Sequence, residues 1–196
     1  MREFDSDRTL SRLERLSRWA LCVFSAACVE VLAPAYRRFC EIEEVGDPAA
    51  ITGLLEFVWD QLAESEVDWN SSRAPASDSL LPLIPNQDEE WNEWSAPAEN
   101  CVTAAVLLVD LYSTGQPELA ARAAQQAYEA VDWIQSSQLD ISFMDAETEH
   151  EVLASEAVQS ELSRQDDALE ALAHAPLMYA GTLMNLRREA RARAVA

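Results

Sequence analysis

The chain has 196 residues, 49% of them hydrophobic, with only four Gly and eight Pro; this fits one core-building domain and excludes disorder throughout. Its formal net charge is −21, which excludes tight nonspecific binding to nucleic acid or to an anionic membrane, since both need clustered Lys and Arg. The charge is uneven: residues 39–170 hold 29 of the 35 Asp and Glu against Arg73, Arg122 and Arg164, whereas the two flanks hold six acids and eleven Arg.

Taken in chain order, the first helix is expected from Ser6 or Asp7 to Leu32. Leu10, Leu13, Leu16, Leu21, Phe24, Cys28 and Val31 mark one apolar face, and Asp7 can cap the start. Arg12, Arg15 and Arg18 before the apolar stretch Trp19–Val29 loosely mimic a secretory signal, but Asp5, Asp7, Glu14 and Glu30 speak against one. No apolar run of about 18 residues is evident, so no membrane span is expected. Pro34 is expected to break or kink the helix, with Ala35–Glu43 continuing as a short one, Tyr36 and Phe39 inward.

Gly46-Asp47-Pro48 marks a boundary, with Gly ending one helix, Asp capping the next and Pro fitting its first turn. The following helix, about Pro48–Glu64, buries Ile51, Leu54, Leu55, Val58 and Leu62, with Trp59 at its edge. Residues 67–97 read as an irregular excursion holding Pro75, Pro82, Pro85 and Pro97, with a short helix over Asp78–Leu83 that Ser77 can cap.

Ala98–Ser113 is apolar on all sides and is expected to be central. Gly115 closes it and Pro117 opens a helix to about Ser137. Asp145 is a cap for a long helix, Ala146–His174, and Pro176 starts a last helix whose end carries Arg187, Arg188, Arg191 and Arg193. The reading is an all-α protein: one compact bundle of about six to eight helices over residues 1–196, with a single long irregular excursion.

Short motifs along most of the chain resemble the YjaG-like family, small bacterial all-helical proteins with domain of unknown function 416. The similar stretches are Arg12-Leu13-Glu14-Arg15-Leu16 with Trp19, Ala27-Cys28-Val29-Glu30 leading to Pro34, Tyr36 and Phe39-Cys40, and Phe57-Val58-Trp59-Asp60. Cys101 with Ala104-Ala105 and the late acidic helix from Glu147 to Leu172 complete them, while Asn100 and the loop Asn86–Ser95 depart from the family's pattern. The resemblance implies one helical domain in the cytoplasm and a signalling association. It implies no reaction and no catalytic residues.

Candidate chemistry is sparse. Cys22, Cys28, Cys40 and Cys101 lack paired spacing, sit among apolar neighbours and read as small buried hydrophobes in a reducing, cytoplasmic setting. Glu147-x-x-His150 has the spacing of half a di-iron site, but His174 follows Glu170 by four residues, so no matching second half exists. No catalytic residue, metal ligand or cofactor is therefore assigned.

The acids Asp88, Glu89, Glu90 and Glu93 flank Trp91 and Trp94. These six residues are the candidate partner-binding site, because Trp is enriched at binding hot spots and carboxylates steer a basic partner. The same Trp pair also fits a lid packed on the core. The functional expectation is a non-catalytic, regulatory or signalling-associated protein that binds a basic protein partner, in the manner of an immunity protein or antitoxin, with no nucleic acid and no membrane. Two alternatives stand beside it: a metal- or carboxylate-dependent enzyme around Glu147, His150 and Glu151, and a structural, oligomer-forming helical domain.

Overall fold

A computed structural model describes residues 1–64, 66–70, 76–86, 92–138, 146–175 and 180–194, and the chain is all-α. The helices are α1 (Ser6–Leu13), α2 (Arg18–Glu43), α3 (Pro48–Ala63), α4 (Ser95–Thr114), α5 (Pro117–Gln138), α6 (Ala146–Ala154), α7 (Glu156–His174) and α8 (Ala180–Ala192). Between α3 and α4 lie two 3-10 turns, Ser77–Ser79 and Leu81–Leu83, where one short helix was expected.

The N-terminal helix differs from the expectation in two ways. It is split, because the Ser17 side chain accepts from Ala20 N and starts α2 afresh, four residues after α1 ends. The cap of α1 is Asp5, accepting from Arg8 N at 2.9 Å, rather than Asp7. The second difference is Pro34, which lies inside α2 without ending it. An interior proline costs about 3 kcal/mol. Fully burying large side chains returns about 1.5–3 kcal/mol each, and Tyr36 and Phe39 just beyond the proline are 0% and 5% exposed, so packing exceeds the local penalty.

At residues 44–48 Asp47 and Pro48 start α3 as expected, but the left-handed residue that caps the end of α2 is Glu44 rather than Gly46. Glu44 and Gly46 adopt left-handed backbone (φ 55° and 85°), and the Asp47 carboxylate accepts from Ala49 N and Ala50 N at the start of α3. Trp59 is a correction: it is 1% exposed rather than at the edge, and its indole points to Glu30 on α2.

α4 buries most of its apolar residues and packs between α2 and α5, with a partly exposed stripe through Glu99, Thr103, Val106 and Asp110. Gly115 (φ 72°) closes it by donating to Leu111 O at 2.8 Å. On α5 the inward face is mostly alanine (Ala120, Ala123, Ala124, Ala127), which brings the backbones of α4 and α5 close. The expected long helix from Ala146 is interrupted at Ser155, whose hydroxyl accepts from Val158 N and caps α7. Asp145 and Pro176, expected to start helices, lie outside the described residues.

The main apolar core runs from Leu13 to Ala190 and draws on α1 to α5, α7 and α8. A smaller cluster gathers Val131, Val152, Val158 and Leu162 under Phe4 and Tyr128, whose rings stack at 5.2 Å. One expectation about membranes needs amending. By length and composition alone α2 is apolar enough to span a bilayer, but 89% of its apolar window is buried inside the protein.

Candidate functional site

Of the six candidate residues, Asp88, Glu89, Glu90 and Trp91 lie outside the described residues. Glu93 and Trp94 are placed at the entrance to α4. The turn before α4 is tied down locally: Asn92 Oδ1 accepts from Trp94 N at 2.7 Å, and Asn92 N donates to Ser95 Oγ at 3.0 Å. The Asn92 side-chain amide also donates to Glu43 at the end of α2. Trp94 is half-buried against the core and donates its indole N–H to the exposed Glu93 carboxylate at 3.0 Å, an arrangement that fits the lid reading for this tryptophan. It borders a shallow hollow with Pro34, Arg37, Arg38 and Glu41, so its setting carries both signs of charge.

A different tryptophan is exposed. Trp133 on α5 is 44% exposed and donates its indole N–H to Glu93 O at 3.1 Å. That bond joins α5 to the same turn, so Glu93, Trp94 and Trp133 share one region of the surface. Next to Trp133, the Asp132 carboxyl is raised by burial and by Glu149, against the hydrogen bond that Tyr128 donates to it. Trp133 was not foreseen, because it stands alone in a helix among small and polar residues and carries no acidic run of its own.

Exposed carboxylates occupy several elements: Glu41 and Glu44 at the end of α2, Glu56 and Asp60 on α3, Glu64–Asp68 after it, Glu147 to Glu156 on α6 and into α7, and Asp167 and Glu170 on α7. They are spread over the outside rather than gathered on one helix. Glu147, His150 and Glu151 are exposed on α6, and among the described residues no three His, Cys, Asp or Glu converge to hold a metal ion.

Sequence reasoning missed two enclosed polar groups. In the first, Glu161, Arg164 and Gln165 on α7 are 3–4% exposed. Arg164 forms a two-point pair with Glu161 (Nε to Oε2 2.7 Å, Nη2 to Oε1 2.6 Å), and Gln165 donates to Glu161 at 2.7 Å and to Ala124 O at 3.0 Å. Burial works against the charge of Arg164, but the attraction and hydrogen bonds of Glu161, with Cys28 adding to them, more than offset it and hold its pKa above the usual arginine range. Burial also pushes the Cys28 thiol up to about 11, with Arg164 pulling the other way. This group holds its own charges in balance and braces α7 against α2 and α5.

The second group centres on Glu30, 8% exposed within α2. Its carboxylate accepts from Trp59 Nε1 and from Arg191 Nε, both at 2.7 Å, and Arg187 Nε lies 3.7 Å away. Arg187 also stands over the Trp59 ring at 5.5 Å. One signal could have found it: Glu30 is the single charge in the apolar stretch from Trp19 to Ala35, a place where only a paired carboxylate is tolerated.

The family model described as a protein of unknown function, DUF416, matches residues 8–196. The chain belongs to the DUF416 family. A crystal structure of a DUF416 family protein from Shewanella baltica OS155 is similar in fold, with a TM-score of 0.77, 23% sequence identity, and 92% of each chain covered. At that identity the likeness speaks for the fold alone. A search of the curated proteins found no match. The DUF416 relationship therefore supplies the all-α architecture and leaves the chemistry to the residues described above.

Proposed function

We propose that this DUF416 chain is a non-catalytic regulatory protein that binds a basic protein partner in the cytoplasm, in the manner of an immunity protein or antitoxin. The reading treats residues 1–196 as one helical bundle, supported by a main core that draws on seven of its helices. The observation that carries the reading is the way the fold spends its charges. Among the described residues, ion pairs engage only Glu30, Glu41, Glu161 and Asp166, and the terminal arginines Arg2, Arg12, Arg187 and Arg191 are used on two of these. The remaining described carboxylates of the midsection have no ion-pair partner among the described residues. Such a surface repels itself and lowers stability, so it fits a protein whose charge is neutralised by something else.

Trp133, beside the Glu93–Trp94 turn, supplies the apolar anchor within that field, since buried aromatic contacts carry most of the energy at protein interfaces. The opposite charge then governs the rate of encounter and the sensitivity to salt. The test is affinity capture with the tagged full chain at low and at high salt. A basic protein retained in stoichiometric amount at low salt and released at high salt is the expected result. Capture of no stoichiometric protein at either salt, or of one that is acidic, contradicts the reading.

A further inference from the structure

Beside Glu30 lies a cavity of about 240 Å³, bounded by α2, α3 and the end of α8. At ~30 Å³ per water it has room for about eight waters, which suits a small solute and not a cofactor. Its charged lining is Glu30, Arg37, Glu56, Arg187 and Arg191, with Thr52 beside them; its apolar lining includes Pro34 and Leu55. In a chain of net charge −21 this place stands out, because among the described residues three guanidinium groups meet two carboxylates and leave one positive charge unmatched.

All three guanidinium groups have capacity to spare. Arg191 uses Nε on Glu30. Arg187 Nε is shut off from solvent yet has no hydrogen-bond partner, being 3.7 Å from an oxygen that already accepts from Trp59. Arg37, exposed at the mouth, is engaged in no ion pair or hydrogen bond among the described residues. A buried donor without a partner is costly, and a planar guanidinium fork matches a carboxylate in two-point geometry.

We infer that this cavity binds a small aliphatic monocarboxylate, its single negative charge held by Arg37, Arg187 and Arg191 and its short alkyl group against Pro34 and Leu55. One negative charge brings the lining to neutrality; a dianion, which phosphate is in mildly alkaline solution, overshoots it. The cavity adjoins the Trp94 hollow through Pro34 and Arg37, but solute binding is read on the isolated chain and partner binding by capture, so either proposal can fail alone.

The test uses the full chain labelled with ¹⁵N in mildly alkaline buffer, where phosphate is a dianion, and follows indole N–H signals on titration with sodium butyrate, sodium phosphate and sodium chloride at matched ionic strength. The Trp59 signal is assigned by its loss in Trp59→Phe. Because the Trp59 indole donates to Glu30 and lies under Arg187, filling the cavity is expected to shift its signal saturably with butyrate, with Kd about 1 mM or tighter. Arg37→Ala, at an exposed position, is expected to weaken binding about tenfold, the loss of one charged contact, without changing thermal stability. Absence of a saturable shift, an equal shift with phosphate or chloride, or undiminished binding in Arg37→Ala overturns the inference.

Discussion

Replacing Arg164 by Met tests whether the pair on α7 is as enclosed as its geometry indicates. Arg164 and Glu161 are each 3% exposed and share two short charge-assisted bonds of 2.6 and 2.7 Å. Arg164→Met keeps much of the side-chain volume but leaves the Glu161 carboxylate with the Gln165 amide alone, away from water. Breaking a buried pair in this way costs about 3–5 kcal/mol, because the remaining charge is uncompensated. At ~2–4 °C per kcal/mol for a chain of this size, Tm falls by about 6–20 °C. Glu161→Leu in the same background removes the stranded charge and is expected to return stability to within ~1 kcal/mol of the parent, or above it. Urea unfolding followed by circular dichroism on the parent, both single variants and the double variant measures this cycle. A loss below ~1 kcal/mol for Arg164→Met, the scale of a surface pair, would refute the enclosed geometry.

Three further outcomes follow from local structure. Gly53→Ala is expected to stabilise by about 0.5–1 kcal/mol, because Gly53 is inside α3 with nothing within 4 Å of an added Cβ. Gly46→Ala is expected to destabilise by more than ~1 kcal/mol: its φ is +85°, and a Cβ there comes within 2.7 Å of both Cys40 Sγ and the Tyr36 hydroxyl. Urea midpoints that move in the same direction for both contradict the backbone assignment. Alkaline pH is expected to weaken the fold. The Cys28 thiol is raised to about 11 and Cys22 to about 12, in both cases chiefly by burial, so the folded state keeps protons that the unfolded state releases. Stability is therefore full below about pH 8.5, the thiol's unperturbed pKa. It falls as pH rises through 11, and a urea midpoint unchanged between pH 8 and 10.5 would contradict this.

Where helix ends depend on residues with one backbone role, they were legible. Gly46-Asp47-Pro48 marked the junction of α2 with α3 and Gly115 with Pro117 that of α4 with α5, and the mostly apolar composition of 101–109, with Thr103 its one polar residue, placed α4 between α2 and α5. Breaks made by a single serine were not legible. Ser17 and Ser155 each restart a helix while the apolar rhythm continues on both sides, so periodicity cannot register them. Pro34 failed in the other direction, because its penalty is local and the packing of Tyr36 and Phe39 is tertiary. For the site, an acidic run beside tryptophans was visible, and it led to the Glu93–Trp94 turn. The exposed Trp133 was not, since it joins that turn through a backbone carbonyl 40 residues away. Glu30 and Glu161 escaped notice for a similar reason: their arginines come from a distant helix in one case, and in the other an ordinary i,i+3 pair is buried by α2 and α5.

The central claim, that this DUF416 chain meets a basic protein through its Trp133 face, rests most directly on one affinity. Trp133 is 44% exposed, so Trp133→Ala leaves the core intact and Tm close to the parent's. The Kd of the captured basic protein, measured for parent and variant at equal salt, is expected to rise about 30-fold, the scale of a 2 kcal/mol hot spot. A change of less than about threefold, under 1 kcal/mol, would contradict the account.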